Sequence, residues 1–232
     1  SSRTDVRYLR GRSRTTGVAE GGAMITLLSD PVVAAVPVHE CGEPLVALDG
    51  VPTIGAVRVR QGLADRLVAA AELLPPGILL KVVEGHRSPT DQRRIIERYR
   101  AELRVSSPGL DADEVVRLSS RFVAPLEVAP HVAGAAVDLT LVDLCGDELD
   151  LGTRIDETPE QSGGRCYFAA PDVSADARAH RDLLAGVLES VGLVNYPTEW
   201  WHWSYGDRYW ALATGLDAAI YGPVEAPVEV LA

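Results

Sequence analysis

Four side chains in two short stretches have the types and spacing to hold a metal ion and to work a water molecule beside it. The first stretch is Pro130-His131-Val132-Ala133-Gly134-Ala135-Ala136-Val137-Asp138, and the second is Glu199-Trp200-Trp201-His202-Trp203. His131, Asp138 and His202 offer two imidazoles and a carboxylate, the donor set of a catalytic zinc site that keeps one position open for water. Glu199 lies three residues before His202 and is left over to act as a base.

The spacing dictates how the backbone must run. Seven residues separate His131 from Asp138. That is about 23 Å along one strand, or about 10 Å along one helix, far too long for two ligands of one ion. The chain must fold back between them. Gly134 is the expected bend, because glycine takes positive φ at little cost. His131 then belongs to a loop or strand edge, and Asp138 to the strand that follows. The offset of Glu199 and His202 puts both side chains on one side of a helical or tight turn. The tryptophans at 200, 201, 203 and 210 are expected to wall the site and lower its dielectric. A histidine or glutamate alone is more often structural. An aspartate inside an apolar strand needs a hydrogen-bonding partner or a metal. The combination carries the reading.

These residues need elements to position them. Residues 24–60 read as short strands and turns, among them Val32 to Val38 as a strand. Leu63, Leu67, Val68, Ala71 and Leu74 share one face of a helix over 61–74, which Pro75-Pro76-Gly77 stops. Ile78 to Val83 is a buried strand, and Glu84 to Pro89 a turn. Thr90-Asp91-Gln92 is expected to cap a helix to about Leu103, followed by a second helix over Asp111 to Phe122. Ala135 to Val142 is a strand. Residues 152–173 are loop-rich, and Ser174 caps a helix to about Val191. Strands and helices mix without a regular βαβ rhythm, so the fold class is α+β, a single domain.

Bulk properties exclude several functions. Net charge is −11, from 33 acidic and 22 basic residues, which argues against a nucleic-acid partner. No apolar run is long enough to span a membrane. The three cysteines, Cys41, Cys145 and Cys166, lack C-x-x-C spacing and form no disulfide framework, so they read as free thiols. Residues 1–23 lack the apolar segment of a signal peptide and read as a leader or non-native extension ahead of a catalytic domain over 24–232. A cytoplasmic location is the expectation from these two features.

The motifs resemble those of the zinc D-alanyl-D-alanine dipeptidases of the M15 peptidase group. His131-x-x-Gly134-x-Ala136-x-Asp138 and Glu199-x-Trp201-His202 carry the likeness, with Glu84-Gly85-His86-Arg87-Ser88-Pro89 and Leu149-Asp150-Leu151-Gly152-Thr153 followed by Asp156 in the expected order. The resemblance implies a central antiparallel sheet with flanking helices, the M15/hedgehog-like zinc peptidase fold. It implies one catalytic zinc ion (Zn2+) on His131, Asp138 and His202, with zinc-bound water attacking a peptide carbonyl. Glu199 would be the general base, and Arg87 would pair with the oxygen of the tetrahedral intermediate. Asp156 would hold the ammonium group of a small dipeptide under loop 152–170, with Trp201 and His86 also expected against the substrate. Four positions depart from the pattern, two of them Val132 and Ala133, which replace the small polar residues often found after the first ligand. Ala129 stands where the family usually has Ser, and His86 where it has an aromatic Tyr.

Other readings remain open at this point. A D,D- or L,D-carboxypeptidase acting on longer cell-wall peptides would use the same machinery. A non-catalytic metal-binding relative would need neither Glu199 nor Arg87. Two His and one Asp also form the facial triad of non-haem iron oxygenases, although its first two ligands usually lie two residues apart.

Overall fold

The computed structural model describes residues 18–20 and 23–225. The rest of the expected N-terminal extension, and residues 226–232, lie outside the described residues. In chain order the elements are β1 (Val18–Glu20), β2 (Ala23–Ile25), α1 (Pro31–Ala35), β3 (Leu45–Ala47), β4 (Arg58–Arg60), α2 (Gln61–Glu72), β5 (Ile78–Glu84), α3 (Pro89–Ser106), α4 (Ala112–Ser119), β6 (Ala136–Asp143), α5 (Pro159–Ser162), α6 (Ala175–Ser190), β7 (Val194–Asn195), β8 (His202–Ser204) and α7 (Arg208–Thr214). No helix of the described residues is long and apolar enough to cross a membrane.

The central sheet has the order β5-β6-β8-β7, and every pairing is antiparallel. β6 is its spine. Its sequence Ala-Val-Asp-Leu-Thr-Leu-Val-Asp is buried over seven of eight residues, because both faces are covered. α6 packs against β6 and against α2. The core joins Leu139 and Leu141 of β6, Leu63 and Leu67 of α2, and Leu184 and Leu188 of α6. The α+β class with a central antiparallel sheet is therefore the one expected from the sequence.

Local chemistry explains where boundaries differ. Val32 to Val38 does not form a strand. The Asp30 side chain accepts from the Val32 amide at 3.0 Å and Pro31 occupies the first helical turn, so the segment starts as α1 despite its β-branched content. α3 is capped two residues earlier than expected. Ser88 is the N-cap, its Oγ accepting from the Asp91 amide at 3.1 Å, with Pro89 directly after it. α4 is shorter than the expected 111–122 helix, ending at Ser119 after an Asp111/Glu114 capping box.

The loop-rich stretch after β6 is held from beneath by a buried arginine. Arg181 of α6 is 0 % exposed. Its Nε donates to the Leu151 carbonyl at 2.8 Å, and its terminal nitrogens donate to the carbonyls of Arg165, Tyr167 and Phe168. A buried cation is tolerable only with donors satisfied in this way. It fixes the segment that carries Asp156 and α5.

Candidate active site

Sheet register brings the chemistry together. Asp138 on β6 lies opposite His202 on β8 and opposite Glu84 on β5, so three polar residues distant in sequence form one row across the sheet. An irregularity in β5 between Val82 and Glu84 shifts the register just before Glu84. The loop before β6 folds back as expected: Gly134 has φ 65, and a Cβ there would stand 2.4 Å from Leu45 Cδ2. That bend returns His131 to the row.

His131, Asp138 and His202 are each no more than 5 % exposed. His131 Nε2 and His202 Nδ1 are 3.2 Å apart, His202 Nδ1 and Asp138 Oδ1 3.1 Å, and His131 Nε2 and Asp138 Oδ1 3.4 Å. They are the one group of three potential ligands within mutual reach among the described residues. On its far side His131 Nδ1 donates to the Gly85 carbonyl at 2.7 Å. That bond fixes the tautomer and turns the Nε2 lone pair into the cluster. Two imidazole nitrogens and a carboxylate oxygen converging in a buried place suit zinc, and the residues therefore fit the ion. Burial works against ionising Asp138, but His131 and His202 outweigh it and hold the carboxyl well below the usual carboxylate range. His202 Nε2 and Asp207 Oδ2 are buried without a hydrogen-bond partner.

Glu199 follows from a tight turn. The His202 amide donates to the Glu199 carbonyl at 3.2 Å, which brings the two side chains to one side with Glu199 Oε2 3.7 Å from His202 Nδ1. Burial first, then the negative charges of Asp138 and Asp156, push the Glu199 carboxyl well above the usual range.

Arg87 is fixed rather than free. Its Nε and Nη2 donate to both oxygens of Glu84, and its Nη1 donates to Gln92 Oε1 at 2.8 Å. The guanidinium is thus oriented as a bidentate fork. Glu84 opens the motif that Arg87 belongs to, whereas nothing in the sequence singles out Gln92 as a partner of Arg87. Asp156 is the sole non-glycine residue with positive φ among the described residues, at 64°. Desolvation at the cavity wall, then the charges of Asp138 and Glu84, raise its carboxyl to about 6.

All of these face one cavity of about 270 Å³, lined also by Trp201, Ala129, Thr158 and Gln161. The volume is just below the roughly 300–1,000 Å³ of pockets for drug-sized ligands, so it suits a small substrate. Two expectations need correction. His86 does not line the cavity: its amide donates to the Arg58 carbonyl at 2.7 Å and its Nε2 meets the Val224 carbonyl at 2.8 Å, which draws the ring away. Of the four tryptophans only Trp201 lines it. Trp200 donates to Thr153, Trp203 to the Trp200 carbonyl and Trp210 to the Gly192 carbonyl, because a buried indole N–H must find an acceptor.

Comparison with known proteins agrees with these features. Residues 110–217 match the family model described as D-ala-D-ala dipeptidase, of the M15 peptidases. A D-alanyl-D-alanine dipeptidase of Synechocystis sp. is 29% identical, over 76% of this chain and 87% of its own. A D-alanyl-D-alanine dipeptidase of Enterococcus faecium is 33% identical, over 44% of this chain and 46% of its own. Among solved structures, a vancomycin-resistance D,D-pentapeptidase in complex with Zn(II) is 16% identical, covers 75% of this chain and 86% of its own, and superposes with a TM-score of 0.42. The family model and the curated relatives bear out the likeness of this chain to the D-alanyl-D-alanine dipeptidases of the M15 peptidases, carried first by four ordered motifs.

Proposed function

We propose that this protein is a zinc-dependent peptidase that hydrolyses D-alanyl-D-alanine or a closely related small dipeptide. One observation carries the reading: His131 Nε2, Asp138 Oδ1 and His202 Nδ1 converge beside Glu199 and Arg87 in a single small cavity. The names of the curated relatives support the substrate.

When held by those three atoms, one zinc ion supplies a Lewis acid that lowers the pKa of water and polarises a carbonyl. Glu199 takes the proton of the attacking water and returns it to the leaving amine. A carboxyl raised by burial suits a group that must both accept and release a proton. Arg87, held by Glu84 and Gln92 before substrate arrives, presents its guanidinium to the oxygen that gains charge at the scissile carbon. A fixed donor of this kind is worth roughly 3–4 kcal/mol. Asp156 accepts the substrate ammonium, and Trp201 closes the wall against small side chains. Ala129, buried at the cavity wall, offers no hydroxyl, so a substrate polar group facing it goes unpaired at a cost of about 1–3 kcal/mol.

The test is Glu199→Ala. The variant keeps its zinc, measured by metal analysis, and loses about 10²–10⁴-fold in turnover. Near-normal turnover would remove Glu199 from the role of base.

A further inference from the structure

The ring of His202 is anchored on one side only. Its Nδ1 meets His131 and Asp138, while Nε2, on the far side, is buried without a hydrogen-bond partner. A metal-binding imidazole commonly donates its other N–H to a carboxylate, a carbonyl or a water. His131 follows that rule through the Gly85 carbonyl. The Tyr196 ring packs edge-on to His202, with centroids 6.0 Å apart, but its hydroxyl is taken up by the Leu28 amide and the Ser120 carbonyl.

A buried acceptor close by is equally short of a partner. Asp207 is 2 % exposed and N-caps α7. Its Oδ1 accepts from the amides of Tyr209 at 2.7 Å and Trp210 at 3.2 Å, and its Oδ2 has no partner. A cap alone does not need a second buried oxygen, since a serine caps with one. The chain between the two residues is pinned. Ser204 shares the face of β8 that carries His202. The Tyr205 amide donates to the Ala135 carbonyl at 2.9 Å, and the Gly206 carbonyl accepts from the amides of Ile220 and Tyr221 at 2.8 and 3.0 Å. Gly206 turns the chain with φ 85, and a Cβ there would stand 2.3 Å from the Tyr221 ring. His202 and Asp207 also feel each other's charge. Burial lowers the His202 imidazole, and Asp138 and Asp207 act against it. Burial raises the Asp207 carboxyl, and Ser204, the two amides and His202 act against it.

We infer that Asp207 is a positioning residue for the metal centre: its Oδ2 accepts from His202 Nε2–H, directly or through one buried water, and so keeps the Nδ1 lone pair on the metal side. One carboxylate thus serves two tasks, Oδ1 capping α7 and Oδ2 setting the tautomer and tilt of a ligand. The inference rests on the zinc site of the function proposed above, but not on the substrate.

Asp207→Asn separates the two tasks. Asparagine caps as well as aspartate, with its oxygen on the amides of Tyr209 and Trp210. Its NH2 then stands where Oδ2 was and can only donate, which favours the His202 tautomer protonated at Nδ1. Zinc Kd, measured by chelator competition, should weaken about 10–100-fold. In 1H–15N spectra of the metal-free proteins, the His202 proton should sit on Nε2 in the wild type and on Nδ1 in the variant. Wild-type affinity and tautomer in Asp207→Asn would reduce Asp207 to a cap and overturn the inference. So would zinc-loaded wild-type protein whose His202 Nε2 proton exchanges freely with water, a measurement that needs no variant to fold. Wild-type protein that binds no zinc would overturn the metal site and this inference with it. Tight zinc binding without amine release would instead overturn the proposed function, and the affinity ratio would still judge Asp207.

Discussion

Arg60 Nε donates to the Ala133 carbonyl across 2.9 Å, so a buried arginine grips the loop that joins two of the metal-site residues. The Arg60 amide also donates to the Gly134 carbonyl at 2.8 Å. Its other donors reach the carbonyls of Glu43 and Gly222 and the Glu40 carboxylate. From the opposite side the Val224 amide donates to the Val132 carbonyl at 3.0 Å, while the Val224 carbonyl takes the His86 ring. The loop bearing His131 is therefore clipped at three consecutive carbonyls. Arg60→Met keeps the aliphatic stem and removes the fork. We expect zinc affinity to fall about 10–100-fold, as for other groups that orient metal ligands, measured by chelator competition. Unchanged affinity would show that the loop holds its shape without the clip.

Zinc should stabilise the fold through this cluster. Metal that binds only the native state adds about 2.7 kcal/mol at a hundredfold excess over Kd. Thermal unfolding with and without zinc should show a raised midpoint in the wild type and none in Asp138→Ala. A zinc-dependent shift that survives in Asp138→Ala would mean the ion sits elsewhere.

Asp156 gives stability a pH signature in the metal-free protein. Its carboxyl is raised to about 6 in the folded state, above its unfolded value. The protonated form is thus the favoured one on folding, and its contribution is complete below the unfolded pKa and is lost as pH rises through about 6. Asn mimics the protonated acid and tolerates the positive φ. Asp156→Asn should therefore gain on the wild type between pH 4 and pH 8 in thermal unfolding. A gap that is constant with pH would refute the raised carboxyl.

Thiol reactivity separates the three cysteines. Cys41 and Cys145 are exposed, and Cys166 is buried, with burial pushing its thiol up to about 11. Alkylation of the native protein should modify two thiols, and the third only after denaturation, counted by mass spectrometry. Rapid modification of all three would mean that the segment over Cys166 opens readily.

The sequence made the metal cluster and its bend legible because both follow from reach: two ligands seven residues apart force a reversal, and Gly134 is the residue that allows one. Asp138 and His202 were readable as types, but their pairing is a matter of sheet register, which no local pattern encodes. His86 shows the limit of motif matching, since its neighbours Gly85 and Arg87 serve the site while its own ring turns to Val224. The tryptophans mislead for a similar reason: each indole N–H seeks a nearby acceptor, and this spreads them through the core. The stretch over 152–173 reads only as loop-rich because its two ends are tied at Leu151 and at Arg165 to Phe168 by Arg181, a helix residue many positions away.

The central claim is most directly tested by amine release from D-Ala-D-Ala and L-Ala-L-Ala by zinc-loaded wild-type protein, with a chelated sample as the control. The account predicts zinc-dependent release of D-alanine and little or no cleavage of the L,L-dipeptide. Protein carrying a full equivalent of zinc that releases no amine from D-Ala-D-Ala would contradict it.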